Sequence, residues 1–404
     1  MIIIMAWRNI WRNKMRSLVI MMSVIIGLFA GIMVLALYKG MLQGRVKTVI
    51  YAEVGHIQIH DSNFKKDYEP SYILKNGDDI LTQLKKIPQI KSIALRSITQ
   101  GMLSTTTGSA GIQINGIVSE SENEVSQLSK KIIEGKGFDP RKKNEALIGK
   151  KLADKMKLKL NSKLVLTFID SSANLVSGAF RVAAIFQSDN APLDERNIYV
   201  RQNELNDLLS IAGNYHEIAV ILDKNQNTEI IKQQLQKQFP DKSIESWREI
   251  SPETDLMVNT VDVYSYIIII IILFALAFGI INTMLMAILE RTREIGMMTA
   301  LGLNKLKMFL LVLVETIFLT IAGTPLGLMI SWLIINYYNK HGLDLSGMGK
   351  DLMSSFGFST IIYPEFPIEK IISVMLIVII TALLSSLFPA IKALKLQPVE
   401  ALRK

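Results

Sequence analysis

The chain of 404 residues has no cysteine, little charge and only four histidines. Without cysteine there is no disulfide framework, no C-x-x-C redox pair and no thiolate metal site. Charged residues make up 20% of the chain and hydrophobic ones 50%, with a mean hydropathy of +0.30. An average soluble domain is about a quarter charged. A wholly soluble multidomain reading fails on this balance, because the apolar surplus is gathered into a few runs. Disorder, collagen and coiled-coil rods fail too, since neither the charge content nor any repeat fits them. No G-x-x-x-x-G-K-[ST], H-E-x-x-H or G-x-S-x-G occurs in the sequence. A nucleotide-hydrolysing loop, a zinc-protease helix and a nucleophile elbow are therefore missing from it.

What is present is a set of long apolar runs. Crossing a bilayer takes about 20 residues. Residues 17–38, 263–289 and 371–391 are uncharged, and 308–339 holds one charge, Glu315. Leu, Ile, Val and Met dominate all four, as lipid-facing helices require. The first run follows a basic lead (Arg8, Arg12, Lys14, Arg16) like that of a signal peptide. It is too long for an h-region of about 7–15 residues and no A-x-A site follows, so an uncleaved anchor is expected.

Lysine and arginine in the short flanks set the orientation. Residues 1–16 hold four basic and no acidic side chains, and the 290–307 loop and the 392–404 tail are also basic-rich. The 340–370 loop has three basic residues against four acidic ones, and residues 41–262 have 29 against 28. Both termini and the 290–307 loop are thus expected in the cytoplasm, with 39–262 and 340–370 outside. The net charge of +9 then sits on the inner face, which suits anionic lipid and a cytoplasmic partner rather than nucleic acid.

Residues 39–262 read as a folded α+β domain. Alternating or β-branched stretches predict strands at 54–60, 90–98, 111–118, 163–169, 180–186, 197–200 and 217–222. Helical periodicity predicts helices at 78–86, 146–158, 201–211 and 228–239. The order suggests a subdomain whose two halves flank an inserted middle. His56 and His60 bracket a strand, where residues four apart lie about 13 Å from each other, too far for one ion. They are expected to be structural. Residues 104–109 read as a hairpin tip, and Asp189, Asp194 and Glu195 as solvated loop carboxylates.

Three segments carry more specific signals. In the 290–307 loop, Glu290, Arg291, Arg293 and Glu294 continue the second span into water, and Glu290 and Arg293 are spaced to pair at i,i+3. Ile295, Met297 and Met298 offer an apolar side, while Gly296 and Gly302 permit close approach and a helix end. Two readings stand: a helix that docks into a partner's groove, or a solvated loop. Glu315, inside the third span, is costly to bury; a structural ion pair is favoured over proton coupling, for which no second acid is present. Gly323 and Gly327 give that span a small-xxx-small spacing for tight helix crossing, with Pro325 between them. The N-terminal segment 1–16 is amphipathic, with Trp7 and Trp11 at i,i+4 and Arg8 and Arg12 beside them, and should lie in the inner interface.

The order of one span, a large outside domain and three further spans resembles the FtsX-like, MacB-type permeases of ABC transporters. The stretch from Glu290 to Gly296, followed by Ala300-Leu-Gly302, is similar to that family's coupling-helix signature. The closing Pro389-Ala and Gln397-Pro-Val-Glu-Ala-Leu-Arg403 resemble its C-terminal signature. Glu315 with Gly323 and Gly327 fits its third span. Gly55-His-Ile-Gln-Ile-His60, after an Ala-Trp-Arg-Asn opening, resembles the lipoprotein-releasing branch.

The resemblance implies an α-helical membrane protein with four transmembrane helices and a large α+β extracytoplasmic domain between the first and second. It implies a multi-pass place in the bacterial inner membrane and no catalytic or metal site, with ATP and Mg held by a separate ATPase subunit. Glu290, Arg291, Arg293, Glu294, Ile295, Gly296, Met298 and Gly302 would form the ATPase-coupling site. The implied partners are that ATPase, a second permease copy or paralogue, membrane lipids, a lipoprotein cargo, and a periplasmic carrier or outer partner. The implied function is extraction of lipoproteins by motion transmitted to the outside domain. Efflux of amphiphilic compounds or peptides, and mechanical activation of a cell-wall hydrolase, are the alternatives.

Overall fold

A computed structural model of the chain describes residues 2–12, 14–290, 292, 297 and 304–394. It divides into a helical unit, built from Met1–Met41, Asn259–Leu343 and Ile361–Lys404, and an α/β unit, built from Leu42–Val258 and Asp344–Thr360.

Four helices among the described residues are long and apolar enough to cross a membrane. They lie within Lys14–Thr48, Pro252–Glu290, Lys305–His341 and Ile368–Leu394. Each extends past the uncharged run that marks it, because charged residues keep the helical backbone wherever their side chains reach water or, as with Arg45, a carboxylate partner. In a helix every backbone N–H and C=O is paired within the segment, which a bilayer demands. The core of this unit joins Ile20, Val24, Leu28 and Ile32 of the first long helix to Leu276, Ile280 and Met284 of the second, Val312 and Leu319 of the third, and Val374, Val378 and Ala382 of the fourth.

The α/β unit holds one ten-stranded mixed sheet among the described residues. Its strands are β1 (Ile57–Asp61), β2 (Ile90–Thr105), β3 (Gly108–Ile117), β4 (Ile132–Gly135), β5 (Glu145–Gly149), β6 (Lys163–Ile169), β7 (Leu175–Phe186), β8 (Asn197–Arg201), β9 (Glu217–Leu222) and β10 (Lys242–Ser246). They run in the order β10-β1-β9-β2-β3-β8-β5-β7-β4, and β6 pairs with β2 and β7. The pairings β3–β8 and β5–β7 are parallel. Strand β2 pairs along its first part with β9 and along its last part with β6.

This single long strand therefore joins two halves, each with its own core. One core packs Ile57, Ile59, Ile80, Leu84, Val220 and Leu235 from the two ends of the segment. The other packs Ile114, Ile148, Leu152, Phe168, Phe180 and Val200 from its middle. The flanking-halves arrangement expected from the sequence is what the sheet displays. The 104–109 run is a hairpin tip, with Thr105 opposite Gly108.

One expected helix divides. Residues 146–149 belong to β5, and only Lys150–Met156 is helical. The apolar run Ala146-Leu-Ile148 is covered on both edges, by β7 and β8, and every residue of β5 is buried. The reading of Asp194 as solvated is also corrected. It is 1% exposed, in the short helix Ala191–Arg196.

Candidate functional site

Chemistry-bearing side chains inside the α/β unit are used to build it. His56 Nδ1 accepts from the Leu222 amide at 3.1 Å, and His216 Nδ1 accepts from the Ile98 amide at 2.9 Å. Burial pushes the pKa of each down to about 4, so both are neutral acceptors. His60 Nε2 lies 2.9 Å from Glu217 Oε2, and Arg96 donates to Glu217 Oε1 at 2.8 Å. Burial alone would raise the Glu217 pKa. The His60 hydrogen bond and the Arg96 charge outweigh it and hold the carboxyl at about 2. Arg96 also grips Glu122 through two hydrogen bonds of 2.9 and 2.7 Å, the fork geometry that suits a carboxylate. His56 and His60 thus have separate partners, as the strand spacing requires. Among the described residues no group of three His, Asp or Glu side chains is placed to hold a metal.

In the helical unit the third long helix presents one buried, small and partly polar stripe: Val312, Glu315, Thr316, Leu319, Thr320, Gly323, Thr324, Gly327 and Ser331. The hydroxyls of Thr316, Thr320, Thr324 and Ser331 each donate to the carbonyl four residues back at 2.7–3.0 Å, so no hydroxyl of this stripe is bare. A Cβ on Gly323 would stand 3.2 Å from Met21 Cγ and Met21 O, and one on Gly327 would stand 3.3 Å from Ile25 Cα. The glycines therefore let the first and third long helices approach backbone to backbone. Glu315 is 4% exposed on this same stripe, and it is not without a partner.

The N-terminal helix Ile2–Arg12 belongs to the same unit. Ala6 is fully buried, whereas Trp7, Arg8, Trp11 and Arg12 are exposed. The Trp7 ring meets Phe318 of the third long helix edge-on, with centroids 5.8 Å apart, and Trp11 at 6.1 Å.

At the opposite ends of the long helices from this segment lies an arrangement that sequence reading passed over as flanking charge. Lys39 of the first helix pairs with Glu365 at 3.2 Å and with Glu369 of the fourth at 3.1 Å. Asp262 of the second helix pairs with Lys370 of the fourth at 2.6 Å. These bonds tie the start of the fourth helix to both others around a cavity of about 350 Å³, whose apolar wall includes Leu35, Tyr38 and Val261. The only signal in the sequence was charge at each run's end, which names no partner.

Of the expected coupling residues, Glu290 is the exposed last residue of Pro252–Glu290. Arg291, Arg293, Glu294, Ile295, Gly296, Met298 and Gly302 lie outside the described residues. On the far side of the loop, Asn304 caps the third long helix by accepting from the Leu306 amide at 3.1 Å.

Two family descriptions fit this architecture along the chain. Residues 17–238 match the MacB-like periplasmic core domain, and residues 266–398 match the FtsX-like permease C-terminal region. The chain belongs to the FtsX-like, MacB-type family of ABC transporter permeases. Among relatives of this permease, the macrolide export ATP-binding/permease protein MacB of Campylobacter jejuni is 22% identical, over 99% of this chain and 60% of that protein. The lipoprotein-releasing system transmembrane protein LolC of Buchnera aphidicola is 25% identical, over 96% of this chain and 94% of its own length. The crystal structure of the periplasmic region of MacB from Actinobacillus actinomycetemcomitans aligns with 52% of the permease and 95% of that chain, at 13% identity and a TM-score of 0.35. The permease spans 55–60% of the length of several curated relatives that it matches.

Proposed function

We propose that this permease is the membrane subunit of a transporter driven by a separate ATPase, and that its cargo is a lipoprotein extracted from the inner membrane. ATP-driven closing at the cytoplasmic face moves the long helices, and the α/β unit, outside the membrane, does the work. The loop 290–302 receives the ATPase, with Ile295 and Met298 as buried anchors and Glu290, Arg291, Arg293 and Glu294 at the rim. A second permease, identical or paralogous, completes the assembly, and a carrier outside takes the cargo. Both termini face the cytoplasm.

The observation that carries this reading is the correspondence with LolC along nearly the whole of both chains. Extraction requires an energy source because each buried CH₂ of an acyl chain holds its cargo by about 0.8 kcal/mol. Efflux of amphiphilic compounds is the second reading, favoured by the MacB relative.

Reconstitution of the permease with its ATPase in liposomes distinguishes the two. A triacylated lipoprotein should be released into solution on addition of ATP and a soluble carrier, and a cationic amphiphilic dye should not move. Transport of the dye with the lipoprotein left in place would reverse the assignment.

A further inference from the structure

The first long helix does not simply end at Thr48. Val49–Val54 continues it as a π-helical turn, closed by a bond from the Gly55 amide to the Ile50 carbonyl at 2.9 Å. Such turns widen the backbone and recur where a helix must do more than span. This one aims Glu53 inward. Its Oε1 accepts from Arg45, eight residues earlier, at 2.6 Å, and from Asn190 Nδ2 at 2.7 Å. The Arg45 and Glu53 side chains are 6% and 12% exposed, so the pair is shielded from water and salt. Arg45 also donates to the Gly357 carbonyl at 3.4 Å, and a Cβ on Gly357 would stand 2.5 Å from its guanidinium.

Asn190 is engaged at both ends of its amide. Its Oδ1 accepts from the Leu193 amide at 3.3 Å and caps the helix Ala191–Arg196. Within that helix Asp194 takes the Ser188 amide at 2.9 Å and the Ser188 hydroxyl at 2.7 Å, which closes the loop preceding the cap. The far side of the helix has no slack, since a Cβ on Gly149, at the end of β5, would stand 2.0 Å from the Asp194 carbonyl oxygen. An unbroken series of short contacts thus runs from Arg45 through Glu53 and Asn190 to β5.

We propose that Glu53 and Asn190 form the relay by which displacement of the first long helix reaches the inserted half of the α/β unit. Both are positioning residues, and the relay rests on the transport reading above. The backbone of the π-helical turn is held independently: Lys131 donates to the Tyr51 carbonyl at 3.3 Å and Arg96 to the Glu53 carbonyl at 3.4 Å. Loss of the Glu53–Asn190 bond alone therefore leaves the turn seated. Asn190→Ser isolates that bond, because serine caps a helix about as well as asparagine but is too short to reach Glu53.

The test uses the full-length permease with its ATPase in nanodiscs, and hydrogen exchange measured with and without ATP and vanadate. In the unsubstituted protein, exchange at 187–196 and 145–149 should change at least threefold with nucleotide. Asn190→Ser should abolish that difference while nucleotide-free exchange in β1 and β9 and ATPase binding stay as they were. Glu53→Gln, which keeps an acceptor for Asn190, should retain part of it. A full nucleotide response in Asn190→Ser would overturn the relay alone. No nucleotide response in the unsubstituted protein would overturn the transport reading and the relay with it.

Discussion

Gly149 and Asp194 meet so closely that a methyl group at Gly149 would stand 2.0 Å from the Asp194 carbonyl oxygen. The obstacle is backbone, not the movable end of a side chain, so the clash is relieved only by parting β5 from the helix Ala191–Arg196. Overpacking of this kind costs about 1–3 kcal/mol, and a backbone shift lies at the upper end. Gly149→Ala is expected to lower the thermal midpoint of the full-length protein in detergent by several degrees. Exchange at 145–149 and 191–196 should accelerate first.

The neutral histidines make the α/β unit sensitive to mild acid. The pKa of His56 and His216 falls from 6.5 in the unfolded chain to about 4 in the fold. Their contribution is complete above pH 6.5 and is lost as the pH falls toward 4, because the unfolded chain binds the proton first. Asp194 works in the opposite sense. Burial raises its pKa from 3.8 to about 6, so it favours the fold in acid and loses that contribution as the pH rises through this window. Exchange of the Leu222 and Ile98 amides, corrected for intrinsic rate, should rise roughly tenfold or more between pH 6.5 and 4.5. The Ser188 amide, held by Asp194, should show no such rise.

Helix crossing at Gly327 depends on the absence of a side chain. A Cβ there would stand 3.1 Å from Leu28 Cδ2 and 3.3 Å from the Ile25 carbonyl oxygen. Gly327→Ala gains about 1 kcal/mol in helix propensity and loses a similar amount in close approach, so it should be near neutral. Gly327→Leu cannot be absorbed and should destabilise the helical unit by about 2 kcal/mol or more. Gly323→Ala should be milder than Gly327→Leu, since it adds a single methyl group, 3.2 Å from Met21 Cγ and Met21 O, rather than a branched side chain. Thermal unfolding in a fixed detergent, followed by aggregation onset, ranks the three.

Much of this architecture could be read from local pattern. The four long helices are visible as apolar runs because a bilayer imposes length and composition at once. Strand β6 shows the alternation of a half-buried strand in Leu164, Leu166 and Phe168, and its bounds match the sequence reading. Strand β5 was hidden because Ala146, Leu147 and Ile148 suit a helix as well as a strand, and only the neighbours β7 and β8 decide between them. Asp194 was misread for a related reason: a carboxylate beside a proline looks solvated until Ser188 folds back on it. The contacts of Lys39 with Glu369 and of Glu53 with Asn190 join residues 330 and 137 positions apart, and no local pattern records such a pair.

The proposed orientation is open to chemical labelling. Leu175, at the tip of the β6–β7 hairpin, is 74% exposed, and Lys307, on the first turn of the third long helix, is exposed as well. In intact cells a membrane-impermeant maleimide should modify Leu175→Cys within minutes and leave Lys307→Cys unmodified until the inner membrane is broken. Equal modification of Lys307→Cys in intact cells would reverse the orientation.

Coupling at the 290–302 loop is the step on which the proposed function turns, and co-purification of the ATPase with full-length permease variants tests it most directly. Truncating or charging a buried anchor in such an interface costs about 2 kcal/mol or more, whereas rim charges mostly adjust rate and register. Met298→Asp and Gly296→Trp should therefore lower ATPase retention by about thirtyfold or more. Arg291→Ala should lower it only a few-fold. The α/β unit should remain folded in all three, as judged by hydrogen exchange in β1 and β9. Full retention of the ATPase by both Met298→Asp and Gly296→Trp would contradict the account and leave the loop as a solvated turn between two helices.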